Sequence, residues 1–513
     1  MSDVSEPTST RKRGISLSDA VAGLGVTFVL LPQALAYAEL AGMPPHHGLY
    51  AAALPAIVAA FFASSRYLQT GPTALTSLLT FGVLATFATP GEANYITLAG
   101  LLALIVGVVR IVLGVLRLGE IAYLMSEPVV MGFTSAAGVL ILASQLPTVT
   151  GVSAPSGDVI AAALWTLSHP NEWSVIAILL GAGTLALMQL SVRIHPLFPG
   201  VLVAVVLGVV YSRFVGFDGP VLGAVPGGFP QVSFDFPWQA LPQLFVAGTV
   251  IAIVGFAEAA SISRNYATED RDHWSPNREF VSQGMANVAS ALVNGFPVGG
   301  SFSRSAINRQ AGSTSRWSGA ITGVMVLAAL PLVGWLEPLP RTILGAIIIG
   351  AVTSLIQPKP LLRLWRYSRP QFAVAVVTFG LSILLAPRVD WAIITGVMLA
   401  LGVHLWREIS LDLDSRYDPQ TFTLHLTPRG VLWFASASKL EEDMLRVLAD
   451  FPEAQTLVMH FEGLGRIDIS GAFVLARFLG DTRDAGLKVE LKDVPPQSRR
   501  FVEPLLEPER PKV

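Results

Sequence analysis

The sequence predicts a polytopic α-helical membrane protein carrying a small α/β domain near its C-terminal end. Three observations lead there. Hydrophobic residues make up 52% of the 513 and charged residues only 14%, against about 25% charged in ordinary soluble chains. Apolar stretches recur from Ser18 to about Trp406 between short polar or Pro/Gly-rich breaks, and about 20 such residues suffice to cross a bilayer. Beyond Arg407 the hydropathy pattern becomes that of a water-soluble fold.

Residues 1–14 are polar and low in complexity, and the apolar run after them is longer than a signal-peptide core, so they read as a disordered arm before the first span. Fourteen segments follow within a transmembrane region over 15–408: 18–40, 48–62, 73–88, 94–116, 127–146, 174–192, 200–213, 243–263, 279–295, 302–312, 317–335, 341–356, 371–386 and 391–406. A further stretch, 159–167, reads as an interfacial helix. Counting from inside, the inward loops hold Arg66, Arg117, Arg264, Arg316 and Arg363 among other basic residues. The outward loops 147–173 and 214–242 hold neither Lys nor Arg. That asymmetry places both chain ends in the cytoplasm.

Two segments are short and interrupted at matching places, seven apart. The third opens with Gly71-Pro72-Thr73-Ala74 and the tenth with Gly299-Gly300-Ser301-Phe302-Ser303-Arg304. Paired broken helices of this kind point to an inverted repeat, here over about 15–215 and 240–408, with a binding site near the midplane. The first amide hydrogens of a helix lack intrahelical acceptors and carry partial positive charge, so such ends favour an anion. The alternative is that these Gly and Pro residues serve close helix packing.

Among ionisable groups, Glu258 lies mid-segment and Glu39 near the end of the first. A carboxylate at that depth is costly and therefore a candidate proton or sodium site. For Glu258 the alternative is a static ion pair with Arg304, and for Glu39 a position at the outer interface. In the first segment Pro32 frees backbone carbonyls beside Gln33, and Tyr37 follows one turn later on the same face. These groups suit a small-ligand pocket, or an interhelical hydrogen bond and a packing aromatic.

Composition removes several classes. The net charge of −2 gives no basic patch for nucleic acid. The absence of cysteine removes disulfides, thiolate nucleophiles and Cys-ligated metals. No metal-ligand cluster, nucleophile–base pair or cofactor fingerprint is found, so neither an enzyme nor a cofactor is expected.

Pro44-Pro45-His46-His47-Gly48-Leu49-Tyr50, Gln69-Thr70-Gly71-Pro72 and Gly300-Ser301-Phe302-Ser303-Arg304-Ser305 together resemble the sulfate permease (SulP) family, also called solute carrier family 26. The resemblance covers about 15–508 and implies fourteen spans in two inverted repeats, split into core and gate domains, with a cytoplasmic STAS domain. It further implies a secondary transporter of small anions such as sulfate, bicarbonate or a C4-dicarboxylate, working as a homodimer in a bacterial inner membrane. Proton-coupled symport is the expected mode, with sodium coupling, exchange or a channel as alternatives, and a membrane-tethered signalling protein as a more distant one. By that similarity the anion contacts Gln33 and Tyr37, Thr73 at the third helix start, and Gly300, Ser301, Ser303 and Arg304 at the tenth. Glu258 would face the same cavity. Thr73 departs from the aromatic residue of several animal members, so their substrate size and channel-like behaviour do not carry over.

The tail, expected to fold over 417–508, reads as β-β-α-β-α-β-α. Its strands are expected at 421–426, 432–435, 456–461 and 488–491, with helices over 439–450 and from about 466 to 479. The turn Asp468-Ile469-Ser470-Gly471 resembles the loop in which STAS domains can be phosphorylated, here on Ser470. Asp468 and Ser470 are also good residues for simply capping the helix that follows.

Overall fold

The computed structural model describes residues 14–120, 126–155, 158–194, 198–409 and 411–494. The expected arm and the expected third helix of the tail lie outside these. Each of the fourteen expected membrane segments coincides with a helix. In the first half these are α1 (Leu17–Leu40), α2 (Pro45–Phe62), α3 (Ala74–Leu84), α4 (Ala93–Val115) and α5 (Glu127–Thr150), then, after the short α6 (Val159–Ser168), α7 (Val175–Ile194) and α8 (Gly200–Phe214). The second half runs α9 (Leu241–Glu269), α10 (Pro276–Leu292), α11 (Phe302–Gln310), α12 (Trp317–Ala329), α13 (Arg341–Val352), α14 (Pro358–Tyr367), α15 (Arg369–Leu384) and α16 (Val389–Ile409). The stretch at 159–167, expected as an interfacial helix, is helical as α6, while α14 was not anticipated.

Among the described residues, seven helical stretches are long and apolar enough to cross a membrane by length and composition alone. The other expected spans fall short for identifiable reasons. α3 and α11 are half-helices of 11 and 9 residues. α10 is polar, burying Glu279, Ser282, Gln283, Asn287 and Ser290. It packs on α4 and α2, so those groups meet protein partners, as polar residues at membrane depth must. Backbones approach closely where α4 meets α10, because a side chain on Gly107 would strike the Gly284 carbonyl at 2.9 Å.

The packing separates two groups of helices. α1, α2, α4, α9, α10 and α12 pack mainly on one another, whereas α5 packs on α6, α7, α13 and α15. α1 and α3 touch the second group through α13, with α1 also meeting α8 and α3 meeting α5. At its start α1 is fixed by a reciprocal cap between Ser16 and Asp19. The Asp19 carboxylate also accepts from the Thr314 and Ser315 amides at 2.8 and 2.9 Å, tying α1 to the loop after α11.

Two three-residue strands interrupt the helices: β1 (Gln69–Gly71) before α3 and β2 (Gly299–Ser301) before α11. They pair antiparallel, Gln69 with Ser301, Thr70 with Gly300 and Gly71 with Gly299.

The C-terminal unit begins its sheet earlier than expected, with β3 (Asp412–Asp418). β4 (Thr423–Leu432), α17 (Phe434–Asp450), β5 (Thr456–His460), β6 (Leu464–Ile467), α18 (Ile469–Asp484) and β7 (Lys488–Lys492) follow. The strands run in the order β3-β4-β5-β7, with β6 also on β4. The expected strands at 421–426 and 432–435 are corrected to the single strand β4, and 434 and 435 belong to α17. Pro428 and Gly430, which look like a turn, lie within β4, where Pro428 stands opposite Leu413 of β3 and the strand changes partner from β5 to β6. Its residues 423–426 pair with β5, its residues 430–432 pair with β6, and the register shifts at Gly430. Proline, lacking a donor, is tolerated at such an irregularity. α17 starts five residues before the expected 439 because Ser436 Oγ accepts from the Trp433 amide, closing its first turn. Leu424, Leu426, Leu457, Met459, Phe461, Leu475 and Leu479 form the core of this unit.

Candidate anion-binding site at two half-helix ends

The β1–β2 pairing sets the starts of α3 and α11 side by side. Local chemistry explains why the chain breaks there. Gly300 has no room for a side chain, since a Cβ would lie 2.7 Å from Leu68 Cδ1 and 3.2 Å from Ala259 Cα. Pro72 removes a backbone donor just where the strand must end and a helix begin.

Around these ends lies a cavity of about 60 Å³ lined by Tyr37, Thr73, Glu258, Ser301, Ser303 and Ser354, with apolar neighbours. Five residues expected at the site from four distant stretches of sequence therefore share one space. Thr73 caps α3: its Oγ1 accepts from the Thr76 amide at 3.3 Å, and Thr76 Oγ1 accepts from the Thr73 amide at 3.4 Å. α11 has no side-chain cap, and Ser303 in its first turn faces open space.

Arg304 and Gln33 are buried and adjacent, the guanidinium Nη1 donating to Gln33 Oε1 at 3.4 Å. Arg304 has 0% exposure, yet its Nε and Nη2 have no hydrogen-bond partner among the described residues. Nη2 comes within 3.4 Å of where a Cβ on Gly71 would sit, so glycine there leaves the guanidinium its space. No ion pair joins Arg304 to Glu258 among the described residues, although both lie near Tyr37. Glu258 is half-buried on α9 and lines the cavity. Gly300 contributes backbone only. Glu39 lies apart from this group, 3.3 Å from Arg341 Nε in an ion pair.

Sequence reasoning passed over the scaffold beneath the strands. Arg110, fully buried in α4, donates from Nη1 to the Val298 carbonyl and from Nε to the Ala252 carbonyl, both at 2.9 Å. Asn287 donates to the Val298 carbonyl at 3.0 Å and accepts from its amide at 2.9 Å. Gln283 Nε2 donates to Thr70 Oγ1 at 2.7 Å, and Ser305 Oγ accepts from the Gln69 amide at 2.9 Å. These contacts satisfy backbone that leaves the helix at membrane depth, which is tolerated only when protein supplies the partners. A lone arginine amid the apolar run of α4 was the available signal. In the C-terminal unit Asp468 Oδ1 accepts from the Gly471 amide at 2.6 Å, capping α18, and Ser470 is exposed.

Comparison with known proteins agrees with this architecture. Residues 17–378 match the Sulfate permease family and residues 416–505 the STAS domain. The chain is 31% identical over 399 residues to the chloroplastic sulfate transporter 4.1 of Arabidopsis thaliana, covering 75% of this chain and 58% of that protein. It thus spans less than two thirds of that relative. To the sodium-independent sulfate anion transporter of Bos taurus it is 28% identical over 512 residues, covering 92% of this chain and 83% of the relative. Its fold matches a solved structure of the murine solute carrier 26 family member A9 anion transporter, with a TM-score of 0.87 at 19% identity over 96% of this chain and 87% of that one. With its broken-helix pair, its multi-pass membrane architecture and its C-terminal STAS domain, the chain belongs to the sulfate permease family.

Proposed function

We propose that this protein is a secondary active transporter of a small anion, sulfate foremost, which binds between the starts of α3 and α11 and moves in symport with protons. The observation that carries the reading is Arg304. A buried guanidinium with two unmatched donors is expensive, and an anion seated at the uncapped start of α11 supplies acceptors and countercharge at once. Ser303 and Ser301 offer hydroxyls at the same place, Thr73 lines it while capping α3, and Gln33 orients the guanidinium. The names of the relatives support sulfate as the first candidate.

Glu258 supplies the coupling. Its carboxylate shares the cavity with the anion, and two negative charges in one partly dehydrated space repel. A proton on Glu258 removes that repulsion, so proton and anion each raise the other's affinity by the same factor. Sodium could act likewise, and the experiment below separates the two. The two packing groups of helices suit alternating access, with the group holding α3 and α11 moving against the one holding α5 and α13. A homodimer in a bacterial inner membrane, with cytoplasmic chain ends, completes the proposal.

The test is uptake of labelled sulfate into proteoliposomes, with and without an inward proton gradient, beside bicarbonate, chloride and fumarate. Gradient-stimulated uptake of one anion, abolished as a stimulation in Glu258→Gln, is the expected result. Stimulation by a sodium gradient instead, or counterflow indifferent to either, would replace the proton arm. No uptake of any anion would overturn the transporter reading.

A further inference from the structure

Between Glu337 and Asp390 the sequence contains no acidic residue, yet Lys359, Arg363, Arg366 and Arg369 fall there together. Three of these four lie on α14. At about 100° per residue, Lys359, Arg363 and Arg366 fall on one side of that helix, Leu361, Leu364 and Trp365 on the other, and Leu362 at the boundary between them. The apolar side is only partly covered by protein: Leu361 and Leu364 are half-buried, whereas Trp365 is 54% exposed and Leu362, at the boundary, 64%. Among the described residues, none of the three basic side chains has an acidic or hydrogen-bonding partner. Trp365 packs edge-on against Phe372, and the Arg369 guanidinium sits 5.5 Å from its ring, the arrangement of an aromatic at a membrane–water boundary.

We infer that α14 lies in the headgroup layer and docks on anionic phospholipids, with its leucines and Trp365 toward the acyl chains and Lys359, Arg363 and Arg366 on headgroup phosphates. A basic amphipathic helix held between two apolar helices has its ends fixed at the bilayer surface, so the docking needs no separate recruitment. Long basic side chains reach sideways from the polar face to phosphate level. Charge complementarity selects an anionic lipid, since a zwitterionic headgroup gives three unpaired cations no net attraction. The helix begins three residues after Leu355, which lines the candidate cavity, so the lipid contact fixes one end of that cavity's wall.

Photo-crosslinkable phosphatidylglycerol and phosphatidylcholine, compared at equal mole fraction in vesicles holding the full chain, test this, with adducts mapped by mass spectrometry. Adducts within 358–372 should favour phosphatidylglycerol by roughly fivefold, about the effect of one basic residue at such a surface. The preference should fall to parity when Lys359, Arg363 and Arg366 are all replaced by Gln. Equal labelling by both lipids in the parent, or a preference unchanged in the triple variant, would overturn the inference. Because the chain has no cysteine, a spin label on Trp365→Cys, on the exposed part of the apolar side, gives a second reading. Collisions with oxygen that exceed those with a water-soluble nickel complex place the face in the bilayer, and the reverse order removes it.

Discussion

The starts of α3 and α11 are related by position in the two halves, but they are finished differently. At α3, Thr73 and Thr76 satisfy one another's amides, so the end is closed by its own residues. At α11, Ser301 caps nothing, Ser303 is open, and the next residue is a buried arginine with unmatched donors. The difference teaches that paired breaks need not be equivalent: the α3 end is satisfied from within, and the α11 end leaves donors that, on the proposed reading, a ligand would complete. Affinity should therefore depend on α11 far more than on α3.

The strongest way to break that comparison is Arg304→Ala. A charge-assisted hydrogen bond is worth about 1.5–3 kcal/mol, so sulfate binding measured by titration should weaken by roughly ten- to a hundredfold. Arg304→Lys, which keeps the charge but not the fork of donors, should fall between parent and Ala. Ser303→Ala removes a neutral hydroxyl worth about 0.5–1.5 kcal/mol, a two- to tenfold loss. Thr73→Ala comes last in affinity, since that hydroxyl is engaged with Thr76. Its cost should instead appear as about 1 kcal/mol of stability, the usual value of a helix cap, read as a lower thermal midpoint. A Thr73→Ala affinity loss as large as that of Arg304→Ala would dissolve the distinction. Binding in the parent should tighten as pH falls, because protonating Glu258 removes a repulsive charge, while in Glu258→Gln it should be flat over the same range.

The fold was legible to the degree that lipid, rather than neighbouring protein, dictates sequence. Apolar runs located the long segments because bilayer thickness fixes their length, whereas the half-helices α3 and α11 were legible through the Gly and Pro at their starts. Gly71-Pro72 and Gly299-Gly300 announced the breaks because few other residues permit them. What covers those breaks was hidden. Arg110, Gln283 and Asn287 serve backbone groups far away in sequence, so nothing local to them tells of their partners. Gln33, Tyr37 and Glu258 were singled out through the Pro32 break, resemblance and depth, and the meeting of Tyr37 and Glu258 with Ser303, like that of Gln33 with Arg304, is a tertiary contact between distant stretches. α14 was missed because its cations interrupt hydropathy, which amphipathic spacing would have recovered. In the C-terminal unit β3 escaped notice as a charged edge strand, and β4 was divided because Pro428 and Gly430 imitate a turn.

The most direct test of the site uses the absence of cysteine in the chain. Ser303→Cys would carry the sole thiol, at the uncapped start of α11, and its rate of modification by a charged methanethiosulfonate reagent can be followed against sulfate concentration. The account predicts that sulfate slows the reaction in a saturable manner, with half-protection at the concentration that half-saturates uptake by the same variant. A rate indifferent to sulfate, in a variant that still transports it, would place the anion elsewhere and contradict the account.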